Sequence, residues 1–433
     1  MQTDIASDKS TISVDSDTNE KPVRVKGARR NLITLLLVVF LDLFGMGIIY
    51  PILPLVFLDG GFMMGASSGN VEIVLGLLLA AYPFAQFIGA PILGKLSDKH
   101  GRKPILAISL VGSSIGYALF AVGLLTHSVG LLFFSRVLDG FTGGNISVAF
   151  SSIADISTPE NKTKNFGLIG MAFGFGIILG PFVGGIFSDS AVSSYFGPTV
   201  PFWTAAVLVA LTVVLILVLF KETIKEKVHR KINALAGFVD VWRTLKIKEL
   251  RVILTTVFFM NIGWAFFSVF FPVYLSQRFL LTNGAVGVML GYIGLWAAVS
   301  QGLILRPIAN RYSDKQILLF SLLVSPVFLL IALLVGKPWV LYIALPLMAV
   351  PFAFAQPSIS TLVSNAVGEH SQGEIMGIRQ SYISLAQTIP PIIAGFSLRY
   401  GVATPLILSA VSIFVAYVIF KVFYVHHEKS VEL

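Results

Sequence analysis

From Asn31 onward, long apolar runs alternate with short polar breaks, and this alternation organises the chain. About 20 apolar residues at 1.5 Å each make a helix that crosses a hydrocarbon core of about 30 Å. The pattern predicts twelve such helices. The first six cover 31–54, 72–94, 105–126, 129–154, 165–188 and 200–220. The second six cover 252–276, 285–305, 316–336, 339–364, 375–397 and 402–424. The halves are therefore 31–220 and 252–424, and 221–251 between them is the longest charged stretch, opening with Lys221, Lys225, Lys227, Arg230 and Lys231. It reads as an amphipathic cytoplasmic linker on the membrane surface. Residues 1–30 are polar and turn basic at Arg24, Lys26, Arg29 and Arg30. They have no short apolar core with a small-residue cleavage site, so they read as a disordered cytoplasmic tail rather than a signal peptide. Residues 425–433 read as a second, short tail.

Charge sets the orientation. With both termini inside, and Lys421 at the inner end of the last span counted with the tail, 26 of the 31 Lys/Arg fall in cytoplasmic segments, three in outer loops (Arg278, Lys337, Arg399) and two deep within spans (Arg136, Arg379). Short loops rich in Lys and Arg stay on the cytoplasmic side, so the inverted arrangement is excluded. Composition agrees, with 55% hydrophobic and 12% charged residues and a mean hydropathy of +0.85. The net charge of +9 serves topology and does not point to nucleic acid. There are no cysteines, hence no disulfide, iron–sulfur or thiolate metal site, and no metal is expected. The six His all fall in loops or tails, so an intramembrane enzyme has no visible catalytic set and no cofactor is implied.

The halves echo each other. A shift of 210 residues lays Gly167, Pro181 and Gly185 on Gly377, Pro391 and Gly395. A weaker echo pairs the loop GKLSDKHGRKP (94–104) with RPIANRYSDKQ (306–316). Inverted or parallel repeats of this kind underlie many secondary transporters.

Charges away from the ends of the spans are few: Asp42, Arg136, Asp139 and Arg379. Each costs about 2.5–3.5 kcal/mol at a helix centre, so each asks for a reason. Asp42 lies about 17 Å from the cytoplasmic end of its helix and Arg136 about 11 Å from the outer end, which gives them a shared depth. Asp139, at i+3, shares a helix face with Arg136. A carboxylate–guanidinium–carboxylate group at mid-membrane lets one carboxylate stay paired while the other titrates. The alternative is a permanent ion pair between helices.

These residues lie in recognisable motifs. Gly94, Leu96, Asp98, Gly101, Arg102 and Lys103 reproduce the G-x-L-x-D-x-x-G-R-K loop after the second helix of major facilitator superfamily transporters. LDLFGMGIIYPILP, with Asp42, Gly45, Gly47, Pro51 and Pro54, resembles the first-helix motif of drug–proton antiporters, and RVLDGFTGG the fourth-helix motif through Arg136 and Gly140. GIILGPFVGG carries Gly176, Gly180, Pro181, Gly184 and Gly185 at every fixed position of the fifth-helix antiporter motif. The chain thus resembles that family nearly throughout, most strongly over 35–190 and nearest to tetracycline–proton antiporters and multidrug exporters. The resemblance implies an all-α membrane protein of twelve transmembrane helices in two pseudo-symmetric six-helix halves. It implies a proton-coupled exporter working by alternating access, with Asp42, Arg136 and Asp139 in proton coupling. It also implies a gating role for Gly94, Asp98, Gly101, Arg102 and Lys103, with Asp98 near the start of the eleventh helix at about 374–377. Asp155, ending the fourth span, lies within reach of Arg102. The alternative is that these loop charges only enforce topology. The class B tetracycline pattern is not kept in the second half: its helix-eight His aligns with Ala297 and its helix-nine Asp falls near Val324 and Ser325. No Asp or Glu lies inside a second-half span, which argues against tetracycline–metal chelates as the substrate.

Polar and aromatic residues within spans outline a substrate cavity: Tyr50, Gln86, Asn145, Asn261, Trp296, Gln301, Gln356, Gln380 and Arg379. Amide donors and aromatic faces suit an amphipathic organic molecule. Helix–helix contact is the alternative for each. The expected partners are a small organic substrate, protons and the lipid bilayer. The expected state is a monomer, multi-pass in the plasma (bacterial inner) membrane. A proton symporter importing a small metabolite is the alternative on the same fold, and a non-transporting membrane receptor a further one.

Overall fold

The computed structural model describes residues 28–58, 62, 68–224, 236–367 and 372–424. The expected tail up to residue 27, residues 225–235 of the linker and the tail 425–433 lie outside the described residues. The first half comprises α1 (Ala28–Leu58), α2 (Ser68–His100), α3 (Arg102–Leu125), α4 (Val129–Gly143), α5 (Ile146–Asp155), α6 (Pro159–Phe187) and α7 (Val200–Leu219). A short α8 (Ala236–Leu245) precedes the second half: α9 (Lys248–Phe279), α10 (Asn283–Val299), α11 (Leu305–Ala309), α12 (Asp314–Leu333), α13 (Pro338–Asn365), α14 (Gln372–Ser397) and α15 (Thr404–Phe423). Among the described residues, nine helices are long and apolar enough to cross a membrane.

Most helices overrun the apolar runs that predict them, since a helix continues past the hydrocarbon while its hydrogen bonds hold. α9 starts at Lys248, four residues inside the expected linker. Two runs are interrupted. The predicted span 129–154 breaks at Gly144–Asn145, where Gly144 N–H bonds to Phe141 O and Asn145 N–H to Thr142 O in a tightened i→i+3 turn. The predicted span 285–305 carries a π-helical turn at Ser300–Ile304 before α11.

Burial is arranged as a bilayer requires. α3, α7, α12 and α15 expose apolar stripes at helical spacing, among them Ile108, Val111 and Ile115, Val207, Leu211 and Val218, and Ile407, Val411 and Phe414. In water these stripes would be costly; in lipid they face their solvent. The first-half core includes Phe266, Val269 and Phe270 of α9 and Ala386 of α14, so the halves share apolar contacts. The second half has two clusters along its length, one around Leu254, Leu322 and Phe420 and one around Phe271, Leu345 and Leu406.

The 210-residue echo has a geometric counterpart. Gly185 of α6 meets Gly287 of α10 so closely that a Cβ would lie 2.6 Å from the Gly287 Cα. Gly395 of α14 meets α2 in the other half, where a Cβ would lie 2.7 Å from Glu72 O, and Gly76 of α2 abuts Pro391 O. Equivalent glycines thus close two inter-half crossings, α6 with α10 and α14 with α2, at the end of the bundle opposite the basic loops. Small residues permit such backbone approach.

Asp189, just beyond α6, reinforces that closure. Its Oδ2 accepts from Gly284 N–H at 2.9 Å and its Oδ1 from Ala191 N–H at 2.9 Å, so a carboxylate caps the start of α10 across the halves. Burial pushes this carboxyl up, but the Gly284 and Ala191 N–H groups and the Thr282 hydroxyl outweigh it and hold the carboxyl below 3.8. A depressed carboxyl contributes its stabilisation above its ordinary value and loses it only as pH falls through the depressed one. The link should therefore hold unchanged from about pH 5 to 8, and Asp189→Asn should loosen it at every pH in that window. Crosslinking of a cysteine pair placed across α6 and α10 in this Cys-free chain measures both; a yield that falls toward pH 5 in the parent would contradict the assignment.

Candidate functional site

Helices α1, α3 and α4 enclose the buried charges of the first half. Arg136 and Asp139 project from one face of α4 and form an ion pair, Nη1 to Oδ2 at 3.2 Å, with side chains 1% and 2% exposed. The guanidinium lies against aromatic faces, its carbon 4.4 Å from the Phe120 ring centre, 5.6 Å from Tyr117 and 6.0 Å from Tyr82. Such contacts hold a planar cation where water cannot. The Ser113 and Tyr117 hydroxyls of α3 are within interaction reach of the Asp139 carboxyl. Gly116 lets α3 come close, since a Cβ there would lie 2.8 Å from Asp139 Cβ.

Asp42 of α1 stands apart from that pair. It is buried, its Oδ2 has no hydrogen-bond partner, and the nearby polar groups are Asp139 and the Asn145 amide at the α4–α5 break. The bridged arrangement expected from depth is thus only half formed: Arg136 ion-pairs with Asp139 and not with Asp42. Depth is shared, but the i+3 neighbour captures the guanidinium because it needs no second helix. Tyr117, absent from the sequence reading of the coupling group, reaches both sides. A Cβ at Gly45, one turn from Asp42, would overlap its hydroxyl, so Gly45 makes room for Tyr117 beside α1.

A narrow cleft opens beside this group, lined by Tyr50 and Met46 of α1, Tyr82 of α2, Arg136, Ala265 of α9 and Gln387 of α14, among others. Of the expected cavity residues only Tyr50 lines it. Gln86 instead ties α2 to its neighbours, donating to Gly143 O at 3.1 Å and accepting from Ser384 Oγ of α14 at 3.1 Å. Gln301 donates to Ala353 O at 3.4 Å, the Trp296 indole N–H is buried without an acceptor, and Gln380 is buried. Asn261, Gln356 and Arg379 form one bonded set, Arg379 Nη2 donating to Gln356 Oε1 at 2.8 Å and Gln356 Nε2 to Asn261 Oδ1 at 3.4 Å.

The fifth-helix glycines of α6 pack backbone to backbone. A Cβ at Gly176 would lie 2.8 Å from Phe40 O, at Gly180 2.9 Å from Gly47 Cα, and at Gly184 2.6 Å from Ile48 O; Pro181 Cδ in turn sits against Gly47. α6 is thereby seated on α1 along the segment that carries Asp42.

At the basic end, Arg102 gathers three elements. Its Nη1 reaches Asp98 Oδ1 at 2.7 Å and Ser97 Oγ at 2.6 Å, and its Nε reaches Asp155 Oδ2 at 3.0 Å. Gly101 takes φ 112°, which a side chain would strain, and a Cβ there would lie 2.5 Å from Glu222 Oε2. Gly94 has more room, since a Cβ there would lie 3.5 Å from Ser147 Oγ. Glu222, which the motif does not contain, accepts from the N–H groups of Arg102 at 2.9 Å and Lys103 at 3.1 Å. Lys103 Nζ donates to Leu217 O at 2.7 Å, and Thr223 Oγ1 to Asp155 Oδ2 at 3.0 Å. The cluster thus joins α2, α3, α5 and the segment after α7, all in one half; the Glu374 side chain at the expected eleventh-helix contact lies outside the described residues. Asp98→Asn removes one of the two carboxylates on Arg102. Insertion should be normal and turnover reduced, read as initial flux per inserted molecule; unchanged flux would leave the loop with topology alone.

Residues 35–391 and 253–432 match the family profile of the Major Facilitator Superfamily. The chain belongs to that superfamily. As a member it is a transporter, and its motif resemblance to drug exporters is met by its relatives. It is 29% identical over 377 residues to the class H tetracycline resistance protein of Pasteurella multocida, covering 86% of this chain and 90% of that one. It is 30% identical over 371 residues to the class E tetracycline resistance protein of Escherichia coli, covering 85% and 87%. It is 28% identical over 378 residues to the quinolone resistance protein NorA of Staphylococcus aureus (strain MSSA476), covering 86% and 90%. The superfamily fold recurs in the human organic anion transporter MFSD10 (TETRAN), with TM-score 0.69, 22% identity and coverage of 91% and 99%. It recurs also in a D-xylose–proton symporter, with TM-score 0.75, 14% identity and coverage of 94% and 100%.

Proposed function

We propose that this superfamily member exports an amphipathic organic compound in exchange for protons, by alternating access of two six-helix halves. In this reading twelve helices cross the membrane: the nine long apolar ones, together with α4–α5, α6 and α14. Both termini lie in the cytoplasm and the monomer is the working unit. The observation that carries the reading is Asp42, a buried carboxyl with an unpartnered oxygen, on the helix against which the antiporter-type glycines of α6 pack. The tetracycline and quinolone resistance relatives support the exporter direction.

Asp42 takes a proton from the outside and releases it inward. One inward charge supplies about 2.3 kcal/mol per 100 mV, and a pH gradient adds to that. Arg136 is neutralised by Asp139 at 3.2 Å, so the pair fixes a field beside Asp42 while Asp42 alone changes charge. Substrate enters the cleft between the halves, which rock about it. The far-end contacts through Gly185, Gly395 and Asp189 are those that separate when the transporter opens outward.

Proton release tests the coupling. A weakly buffered detergent solution of the protein, protonated beforehand, should acidify when a transported drug is added. Binding without a pH change would remove Asp42 titration from the cycle.

A further inference from the structure

Arg379 is a cation inside the second half with no carboxylate beside it among the described residues. The ion pairs among those residues are those of Arg102 and Arg136, and no Asp or Glu lies within the spans predicted for 252–424. A charge kept inside a membrane bundle for structure alone is normally paired, because an unpaired one is costly. Here the guanidinium has one described hydrogen bond, Nη2 to Gln356 Oε1 at 2.8 Å, and its Nε is buried without a partner. A guanidinium carries five N–H donors, so most of this fork is unused.

Its surroundings are built to hold it rather than to neutralise it. Gln356 Nε2 donates to Asn261 Oδ1 at 3.4 Å, and Asn261 Nδ2 to Val257 O at 2.7 Å. This chain of amides fixes the Gln356 oxygen toward Arg379. The set also lies at the seam between the halves. Asn261 is one helical turn before Ala265, which lines the cleft together with Tyr50. Phe258 and Phe259, just before Asn261, pack against the cores of both halves. Phe352, one turn before Gln356, stacks on Trp264 with ring centres 5.0 Å apart, so an apolar wall adjoins the cation. Arg136, the cation that lines the cleft itself, is already taken by Asp139.

We propose that Arg379, oriented by Gln356 and Asn261, is a carboxylate-binding subsite, and that the transported compound is an amphipathic organic acid. A carboxylate matches the planar fork with two parallel N–H···O bonds, while its apolar body lies along the aromatic seam. Transport of the acid rests on the export reading; its binding does not, and the two are tested separately.

The test is equilibrium binding to the purified full chain of three probes with one aromatic body: 2-naphthylacetate, its methyl ester and 2-naphthylmethylammonium. The acid should bind roughly ten- to a hundredfold tighter than the ester, as expected for a hydrogen bond to a charged group, and the ammonium weakest. Arg379→Gln should erase the difference between acid and ester without weakening the ester. Arg379→Lys, which keeps charge but not the fork, should retain a reduced preference. Equal binding of acid and ester by the parent overturns the proposal, as does an acid preference that survives Arg379→Gln or a preference for the ammonium. Should Arg379→Gln fail to fold, the parent's ratio and the Lys variant decide the matter alone. Acid preference without proton-driven flux would end the export reading and leave the subsite standing; proton-driven flux blind to the carboxylate would do the reverse.

Discussion

Asp42→Asn should bring proton-driven flux down to that of vesicles without the protein, while the variant inserts and folds normally. The two side chains are nearly isosteric, so packing in the core around α1 is kept. Asp42 ion-pairs with neither Arg136 nor any other described cation, so no partner is orphaned by losing the charge. Removing a buried charge also removes its insertion cost, about 2.5–3.5 kcal/mol at a helix centre, so thermal stability should hold or rise. What disappears is the group able to take up and release a proton. Substrate binding should persist, and downhill exchange of substrate should continue without sensitivity to pH. Those three readouts separate coupling from folding: normal proton-driven transport by Asp42→Asn would remove the residue from the mechanism.

Arg136→Lys should cost most of the turnover and, unlike Asp42→Asn, some stability. The guanidinium lies within 6.0 Å of three aromatic ring centres and pairs with Asp139 at 3.2 Å. An ammonium is a compact point charge that cannot lie flat among those rings and loses its proton more readily when buried. Loss of the desolvated cation–aromatic contact is worth about 2 kcal/mol, visible as a lowered melting temperature. Asp139→Asn then apportions the effect. If Asp139 only balances Arg136, Asp139→Asn should impair transport through the unpaired guanidinium yet keep a pH dependence set by Asp42. An Arg136→Lys protein that transports like the parent would mean that only the positive charge matters.

The apolar pattern made the helices legible because membrane spans need long unbroken runs, and the basic loop made Arg102 and its acids legible because the motif is local. The fourth span misled because its apolar run continues through Gly144, while close approach of α2, where a Cβ on Gly144 would lie 2.5 Å from Ala90 N, tightens the helix there. Depth arithmetic placed Asp42 and Arg136 at one level but said nothing of azimuth, and the i+3 carboxylate took the pairing. Glu222 and Asp189 were missed for a shared reason. Both bind backbone N–H groups at the starts of helices distant in sequence, and a backbone partner leaves no signature in residue type. Glu222 had one usable signal, an acid at the head of the basic stretch that follows the sixth span. The cavity was the least legible part: a polar residue in an apolar span signals a hydrogen bond, and Gln86 and Gln301 spend theirs on neighbouring helices.

The direction of flux under an imposed proton gradient tests the central claim most directly. Inverted membrane vesicles containing the protein, acidified inside, should accumulate a transported drug against its gradient. A protonophore should discharge it, and Asp42→Asn vesicles should not accumulate it at all. Accumulation driven instead by acid outside the inverted vesicles, or accumulation indifferent to the gradient, would contradict proton-driven export.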